Sequence, residues 1–347
     1  MAVESSWKRE YEILKGYIAS NAEIHISPHE ISVPKGAREE FYGRFDEVRR
    51  AFVKIRQGIL PFDADALAKN YTESENRIYR VMSRRIEMPL ELSSFLHDPE
   101  EGMMRLVYSR LFELIQGKIS EDDFERMAAG DIVKDATRLF RLGYAAWAAL
   151  AIVLRLEPDE FFGVAIDGSG APCAAEIDEI NFGRQFHHPA KRVPEFLFHS
   201  KKLGRYVAFK MPLVREVDAY NVPAELPVQR LLRNRNGDSS STLDCRMTFL
   251  SVLRDLNEIP VFADLHQRKV AGPDLAIVYL MERDLSDGEA IEEARNRVEI
   301  LKPRLGGCAV IMDPSSKSES FDIGGNICAL SVGLAPSGFE PVIGKLI

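Results

Sequence analysis

Apolar positions along this chain follow two different rhythms. Through the first half they recur at helical spacing. Phe41, Phe45, Val48, Phe52 and Ile55 are separated by four, three, four and three positions, the signature of one apolar helix face. Gly58 and Pro61 then stop that helix. Thr72 with Glu75 has the form of a capping box and predicts a helix start, and Ser120 with Asp123 is a looser version of the same signal. A further helix is expected from about Asp131 toward Leu156, polar at both ends and apolar between, with Pro158 just beyond to help end it. The most hydrophobic stretch lies within it, between Arg141 and Arg155, and includes Tyr144, Trp147, Leu150, Ile152 and Leu154. That stretch falls short of the about 20 apolar residues a bilayer span takes, so it reads as a buried core helix. Ile24-His25-Ile26, followed by Pro28, reads instead as extended chain or loop.

From Glu160 onward, two-residue alternation and turn signals take over. Phe161–Ile166 and Cys173–Ile177 read as strands joined by Asp167-Gly168-Ser169-Gly170. Glu195–His199 and Arg205–Met211 read as a second hairpin that turns through Ser200–Gly204. Helices are expected near Ala224–Asn234 and Leu243–Leu256, with a short buried strand at Ile259–Ala263. Leu275–Leu280, a helix from about Asp287 to Leu301, and Gly307–Met312 have the dimensions of a β-α-β unit. A last hairpin is expected to pair Phe321 with the run Ile327–Val332 across Gly324-Gly325-Asn326. The expected fold is therefore α+β (mixed α/β): a helical domain over 1–158, then a mixed α/β domain over 159–347, its mixed sheet flanked by helices.

Composition narrows the class without changing this picture. The chain has 347 residues, 46% hydrophobic and 28% charged, which is ordinary for a globular protein and excludes wholesale disorder. Cys173, Cys245, Cys308 and Cys328 show no short spacing, which argues against a thiolate zinc site and a secreted disulfide scaffold. Met-Ala-Val-Glu-Ser-Ser-Trp-Lys at the start carries an acid and no apolar run, so no secretory leader is expected. A cytoplasmic location, buried free thiols and no membrane association follow as expectations. The net charge of −8 speaks against general nucleic-acid binding, although local patches can depart from the total.

Three patterns offer chemistry. The turn at Asp167, Gly168 and Gly170, and the one at Asp322-Ile323-Gly324-Gly325-Asn326, loosely resemble the phosphate loops of actin-like ATPases. Glycine lets backbone N–H groups approach an anion closely, so Asp167, Gly168 and Gly170 are candidates for holding a nucleotide. Hairpin turns need the same residues for positive φ alone. The region 184–235 gathers Arg184, His187, His188, Lys191, Arg192, His199, Lys201, Lys202, Arg205 and Lys210, with Arg215, Arg230, Arg233 and Arg235 extending it. Such a reversal of sign in an acidic chain is a place for a phosphate-bearing ligand. Adjacent His187 and His188 cannot face the same way on a strand, and no metal site is assigned.

The third pattern is Pro194-Glu195, a turn, then Arg205-Tyr206-Val207-Ala208-Phe209-Lys210, which resembles the central hairpin of the PD-(D/E)XK nuclease family. The resemblance covers about a fifth of the chain and implies Glu195 and Lys210 as catalytic candidates beside a bound Mg²⁺ that activates water. It departs from the family at Ala208, where the second metal-binding acid belongs, with Glu176, Asp178 or Glu216 as substitutes. There is no G-x-S-x-G, H-E-x-x-H or C-x-x-C. The leading expectation is a cytoplasmic ligand- or partner-binding protein without a recognisable catalytic motif, with the helical part offering a surface for a second copy or another protein. A degraded nuclease-like domain and a nucleotide-binding protein are the alternatives.

Overall fold

The computed structural model describes residues 6–182, 191–211, 247–264, 269–313, 323–324 and 326–347. A helical N-terminal region precedes a large mixed sheet, the α+β class expected from the periodicity. Contacts divide the chain into two compact units, Met1–Ala68 with Glu91–Phe140, and Lys69–Leu90 with Arg141–Ile347.

In the first unit, helix α1 (Ser6–Ser20) buries Trp7, Tyr11 and Leu14. A two-residue ladder, β1 (His25–Ile26) with β2 (Ile31–Ser32), follows it, so the extended reading of His25 holds. Helix α2 (Arg38–Gln57) buries Phe41, Phe45, Val48 and Phe52 and ends at Gly58. Ile55 lies at the exposed margin of that face. The Trp7 ring packs 5.7 Å from Phe52 and 5.0 Å from Phe124, which ties three helices together. Arg49 is buried on the same helix and donates to the Met104 carbonyl at 3.0 Å. Its guanidinium lies over the Phe45 and Tyr108 rings, so a charge is accommodated among aromatics. Helices α4 (Leu90–His97), α5 (Pro99–Leu106) and α6 (Tyr108–Ile115) complete the helical run.

Two helix starts differ from expectation. Helix α3 spans Ala64–Met82, so Thr72 and Glu75 lie inside it. The N-terminal side chain is instead Asp63, which accepts the Ala66 N–H at 2.8 Å. The i,i+3 spacing of a capping box also occurs within any helix, which is why Thr72 gave a false start. Helix α7 (Glu121–Arg155) begins well before Asp131. Ser120 Oγ accepts the Asp123 N–H at 3.1 Å and donates to Asp123 Oδ2 at 2.9 Å, so the looser capping signal is the one that operates.

The second unit is built on an eight-stranded sheet, in spatial order β15 (Ile327–Ser331), β14 (Gly307–Ile311), β13 (Leu275–Leu280), β10 (Met247–Leu253), β9 (Arg205–Lys210), β8 (Phe196–Ser200), β4 (Pro158–Ile166) and β5 (Pro172–Glu176). Strands β4 (Pro158–Ile166) and β5 (Pro172–Glu176) form the first expected hairpin, and β8 (Phe196–Ser200) with β9 (Arg205–Lys210) the second. Strand β10 (Met247–Leu253) is antiparallel to β9 and to β13 (Leu275–Leu280). Beyond it, β14 (Gly307–Ile311) and β15 (Ile327–Ser331) continue parallel to β13. Helix α8 (Gly288–Leu301) makes the β13-α8-β14 crossover that was expected. Two small sheets, β3 (Arg85–Glu87) with β6 (Glu179–Asn181), and β7 (Lys191–Arg192), β11 (Ala263–Asp264) and β12 (Lys269–Val270), complete the strands among the described residues.

The helix expected over Leu243–Leu256 is corrected to a strand over its described part. All but one of the seven β10 residues are buried, as befits a strand covered on both faces. A short apolar run of that kind has no alternation to distinguish it from a buried helix. The strand expected at Ile259–Ala263 is reduced to Ala263–Asp264, outside the main sheet. The last hairpin is also corrected where it is described. Ile327–Ser331 pairs parallel with β14 rather than closing a hairpin, while Phe321 and Ala224–Asn234 lie outside the described residues.

The two faces of this sheet are covered differently. Met247, Phe249, Ala276, Val278 and Leu280 face Ala294, Val298 and Leu301 of α8. On the opposite face, the Tyr279 ring meets Tyr144 of α7 at 5.8 Å. Helix α7 is long and apolar enough to cross a membrane, but 83% of its most apolar window is buried inside the protein. It is a core helix. Helix α9 (Glu340–Leu346) closes the chain, with Phe339 5.7 Å from Trp147.

Candidate functional site

The β8–β9 register places Leu197 opposite Ala208 and His199 opposite Tyr206. Strand alternation then puts Glu195, Leu197 and His199 on one face with Tyr206, Ala208 and Lys210. Glu195 and Lys210 do converge, with Lys210 Nζ 2.7 Å from Glu195 Oε1. The other carboxylate oxygen accepts the Met211 N–H at 2.5 Å. Their side chains are only 0% and 8% exposed, so carboxylate and ammonium neutralise each other away from water. Ala208 is buried in an apolar cluster with Val164, Leu197 and Leu253, which fills the place of a second acid. Of the substitutes, Glu176 is exposed and Asp178 is fully exposed, 3.8 Å from Arg84. Glu216 lies outside the described residues. Among the described residues no three His, Cys, Asp or Glu groups gather as a metal site would require.

On the same face, His199 Nδ1 lies 2.7 Å from Asp159 Oδ1, with its ring 5.1 Å from Tyr206. This is an oriented imidazole, and neither side chain is more than a third exposed.

The Asp167 turn has a different economy. Asp167 Oδ1 accepts from Ser169 N at 2.8 Å, Ser169 Oγ at 2.6 Å and Ala171 N at 2.9 Å. The Ser169 hydroxyl and these amides hold its carboxyl below the usual range. Gly170 adopts φ +82°, and its carbonyl accepts from Lys191 Nζ. The amides that a phosphate would use are already directed at the turn's own carboxylate, and Gly168 and Gly170 serve the bend. Lys191, one of the basic residues of 184–235, is held there too, while 183–190 and 212–246 lie outside the described residues.

A second constellation stands where β13, β14 and β15 end. These strands are parallel, so their carboxyl ends share one edge of the sheet, the edge at which α/β proteins take ligands. Arg141 of α7 places Nη2 at 3.0 Å and 2.8 Å from the two oxygens of Asp284, and both side chains are nearly buried. Asp284 Oδ2 also accepts the Met281 N–H at 2.9 Å, so the pair is anchored to the end of β13. Asp313, just past β14, accepts the Glu282 N–H at 2.7 Å. The Tyr144 hydroxyl donates to the Gly333 carbonyl just past β15, where Gly333 adopts φ +53°.

Two groups at this edge have displaced acidities. Burial raises the Asp313 carboxyl above the usual carboxylate range, and the charges of Asp284 and Glu282 add to it against the Glu282 N–H. Burial likewise raises the Tyr144 phenol, with Tyr279 and Asp313 contributing. A half-buried carboxyl that holds its proton more readily than a surface acid is the kind of group that marks a site rather than a solvated face. The sequence carried a signal for it. Met281-Glu282 and Met312-Asp313 each set an acid immediately beyond an apolar strand of the β-α-β unit, although only the fold brings Arg141 and Tyr144 to them.

No family model, curated protein or solved structure matches the chain.

Two expected outcomes follow. Lys210→Met leaves the Glu195 carboxylate buried without its cation and should cost about 3–5 kcal/mol in denaturant unfolding. Glu195→Gln combined with Lys210→Met should recover much of that loss, and an unaffected single variant would contradict a structural pair. For Asp313, a carboxyl raised in the folded state gives stability that is full below the ordinary carboxylate value. That stability is lost as pH rises through the folded value. Asp313→Asn should therefore melt like the parent in acid and higher than the parent at neutral pH. Equal or lower melting at neutral pH would oppose this assignment.

Proposed function

We propose that this chain is a cytoplasmic ligand-binding α/β protein whose ligand is a small polar molecule bearing hydroxyl or ammonium groups. The binding place is the carboxyl edge of β13, β14 and β15. The observation that carries this reading is Asp313, a half-buried carboxyl at the end of a parallel strand whose burial makes it a weaker acid than a surface carboxyl. Beside it, Asp284 is already neutralised by Arg141. Asp313 thus supplies the hydrogen-bonding character, and Tyr144 and Arg141 hold the strand ends in place. Such a site favours ligands that donate hydrogen bonds. The cytoplasmic part rests on Cys308 and Cys328, which stand as free thiols in a chain with few cysteines.

The phosphate-acting alternative has one specific support, the contact between Glu195 and Lys210 on one face of the hairpin. Against it stand the burial of both groups and the apolar Ala208 beside them. In that reading the pair would have to open before it met a phosphate.

Thermal unfolding in the presence of nucleosides, polyols and polyamines, and separately of oligonucleotides with Mg²⁺, distinguishes the two. A ligand that binds only the folded chain raises its melting midpoint. The expected result is a shift from the hydroxyl- or ammonium-bearing group that disappears in Asp313→Ala. A shift retained in that variant would overturn the carboxyl-edge site. A shift from oligonucleotides alone, lost in Lys210→Met, would transfer the function to the hairpin.

A further inference from the structure

The β14–β15 pairing brings together two side chains that no part of the ligand site uses. Cys308 and Cys328 are direct partners in the parallel register. Neighbouring strands lie about 4.8 Å apart. That spacing falls inside the about 4.4–6.8 Å between Cα atoms that a disulfide bridges without moving the backbone. The two sulfurs are 3.0 Å apart, and both residues are free thiols. Cys308 is fully buried, whereas Cys328 is partly exposed on the last strand of the described sheet. Lys345 of α9 reaches the same end of these strands, donating to the Leu305 carbonyl at 3.3 Å.

From this geometry we infer that Cys308 and Cys328 form a redox-active dithiol, a modification site at which a hydroperoxide converts two thiols into an intramolecular disulfide. Cys328 is the attacking sulfur and Cys308 the resolving one. The division of labour follows from their surroundings. Either sulfur can donate in the bond between them, and Cys328 Sγ also lies 3.5 Å from the Gly307 carbonyl. With Cys308 as the donor, this bond, together with the Lys345 ammonium, lowers the Cys328 thiol to about 6 against the opposing effect of burial. The same hydrogen bond and burial raise the Cys308 thiol, so one sulfur is a thiolate at neutral pH while its neighbour keeps a proton. Among the described residues, Cys308 from β14 and Lys345 from α9 are the titratable groups that act on Cys328.

The chemistry balances with a hydroperoxide as the two-electron oxidant. The Cys328 thiolate attacks one peroxide oxygen, the O–O bond breaks, and hydroxide leaves, which makes Cys328 a sulfenic acid. Cys308 then attacks that sulfur. The S–S bond forms, the S–O bond breaks, and the departing oxygen takes the Cys308 proton as water. With hydrogen peroxide the net change is two thiols and one peroxide to one disulfide and two waters. A thiol reductant reverses it by exchange.

The test treats the full chain with hydrogen peroxide near neutral pH, digests it without reductant and maps the linked peptides. The expected product joins Cys308 to Cys328 within one chain and disappears with dithiothreitol. Alkylation supplies a second readout. At pH 7, Cys328 should react about two- to fourfold faster than Cys173, which is also partly exposed, because its larger thiolate fraction outweighs the lower nucleophilicity of a more acidic thiol. The pH profile of that alkylation should have its midpoint near 6. In Cys308→Ala the midpoint should move upward and peroxide should leave a dimedone-reactive sulfenic acid on Cys328. The mapping and the profile need no variant, so a misfolded Cys308→Ala leaves the test intact. A native chain that gives no such linked peptide, links only between chains, or alkylates Cys328 no faster than Cys173 would overturn the inference.

Discussion

The constraint on which the second unit depends is the burial of the second half of α7. From Arg141 to Val153 every residue is buried, so this stretch faces protein on all sides. Its rings interlock, Trp147 with Tyr144 at 5.1 Å and Tyr144 with Tyr279 at 5.8 Å, against the sheet face opposite α8. An arginine in such a surrounding needs an ionic partner, because an unpaired buried charge costs several kcal/mol. Asp284 supplies the countercharge, and the Met281 N–H fixes the carboxylate in turn. Packing of a helix thereby sets the position of a strand end. The Tyr144 hydroxyl does the same for β15 through Gly333.

The charged groups of this unit divide into two kinds. Glu195 and Lys210 are a closed pair, each the other's counterion, with a backbone N–H occupying the second carboxylate oxygen. Arg141 and Asp284 are closed in the same sense. Asp313 differs, since among the described residues the side-chain charges that act on it are those of Asp284 and Glu282, and burial makes it hold its proton more readily than a surface acid. Its bond from the Glu282 N–H links two strand ends, and its displaced acidity distinguishes the proposed site from the structural pairs. The same parallel strands carry Cys308 and Cys328 near their opposite ends, so one three-stranded element holds both the ligand edge and the dithiol.

Much of the architecture was legible because it rests on local patterning. The face Phe41, Phe45, Val48 and Phe52, both early hairpins and the β13-α8-β14 unit each follow from spacing and turn chemistry alone. Strand β10 was not legible, since burial on both faces erased the alternation that identifies a strand. Thr72 misled because its spacing to Glu75 is equally at home inside a helix. At the hairpin, Glu195 and Lys210 were singled out by the resemblance of their motif, but their mutual burial is a product of the fold that no local pattern shows. The carboxyl-edge constellation joins Arg141 to Asp284 across more than a hundred residues, and no local pattern encodes such a pairing. The cysteines were read as scattered because their sequence separation conceals a parallel register that places them side by side.

A double-mutant cycle on Arg141 and Asp284 tests most directly whether the helix fixes the strand end. Arg141→Met and Asp284→Asn should each lower unfolding free energy by about 3–5 kcal/mol. The double variant should lose less than their sum by about 2 kcal/mol or more, since the second change removes a charge already orphaned by the first. Losses that add within about 0.5 kcal/mol would show two independent residues and contradict the account.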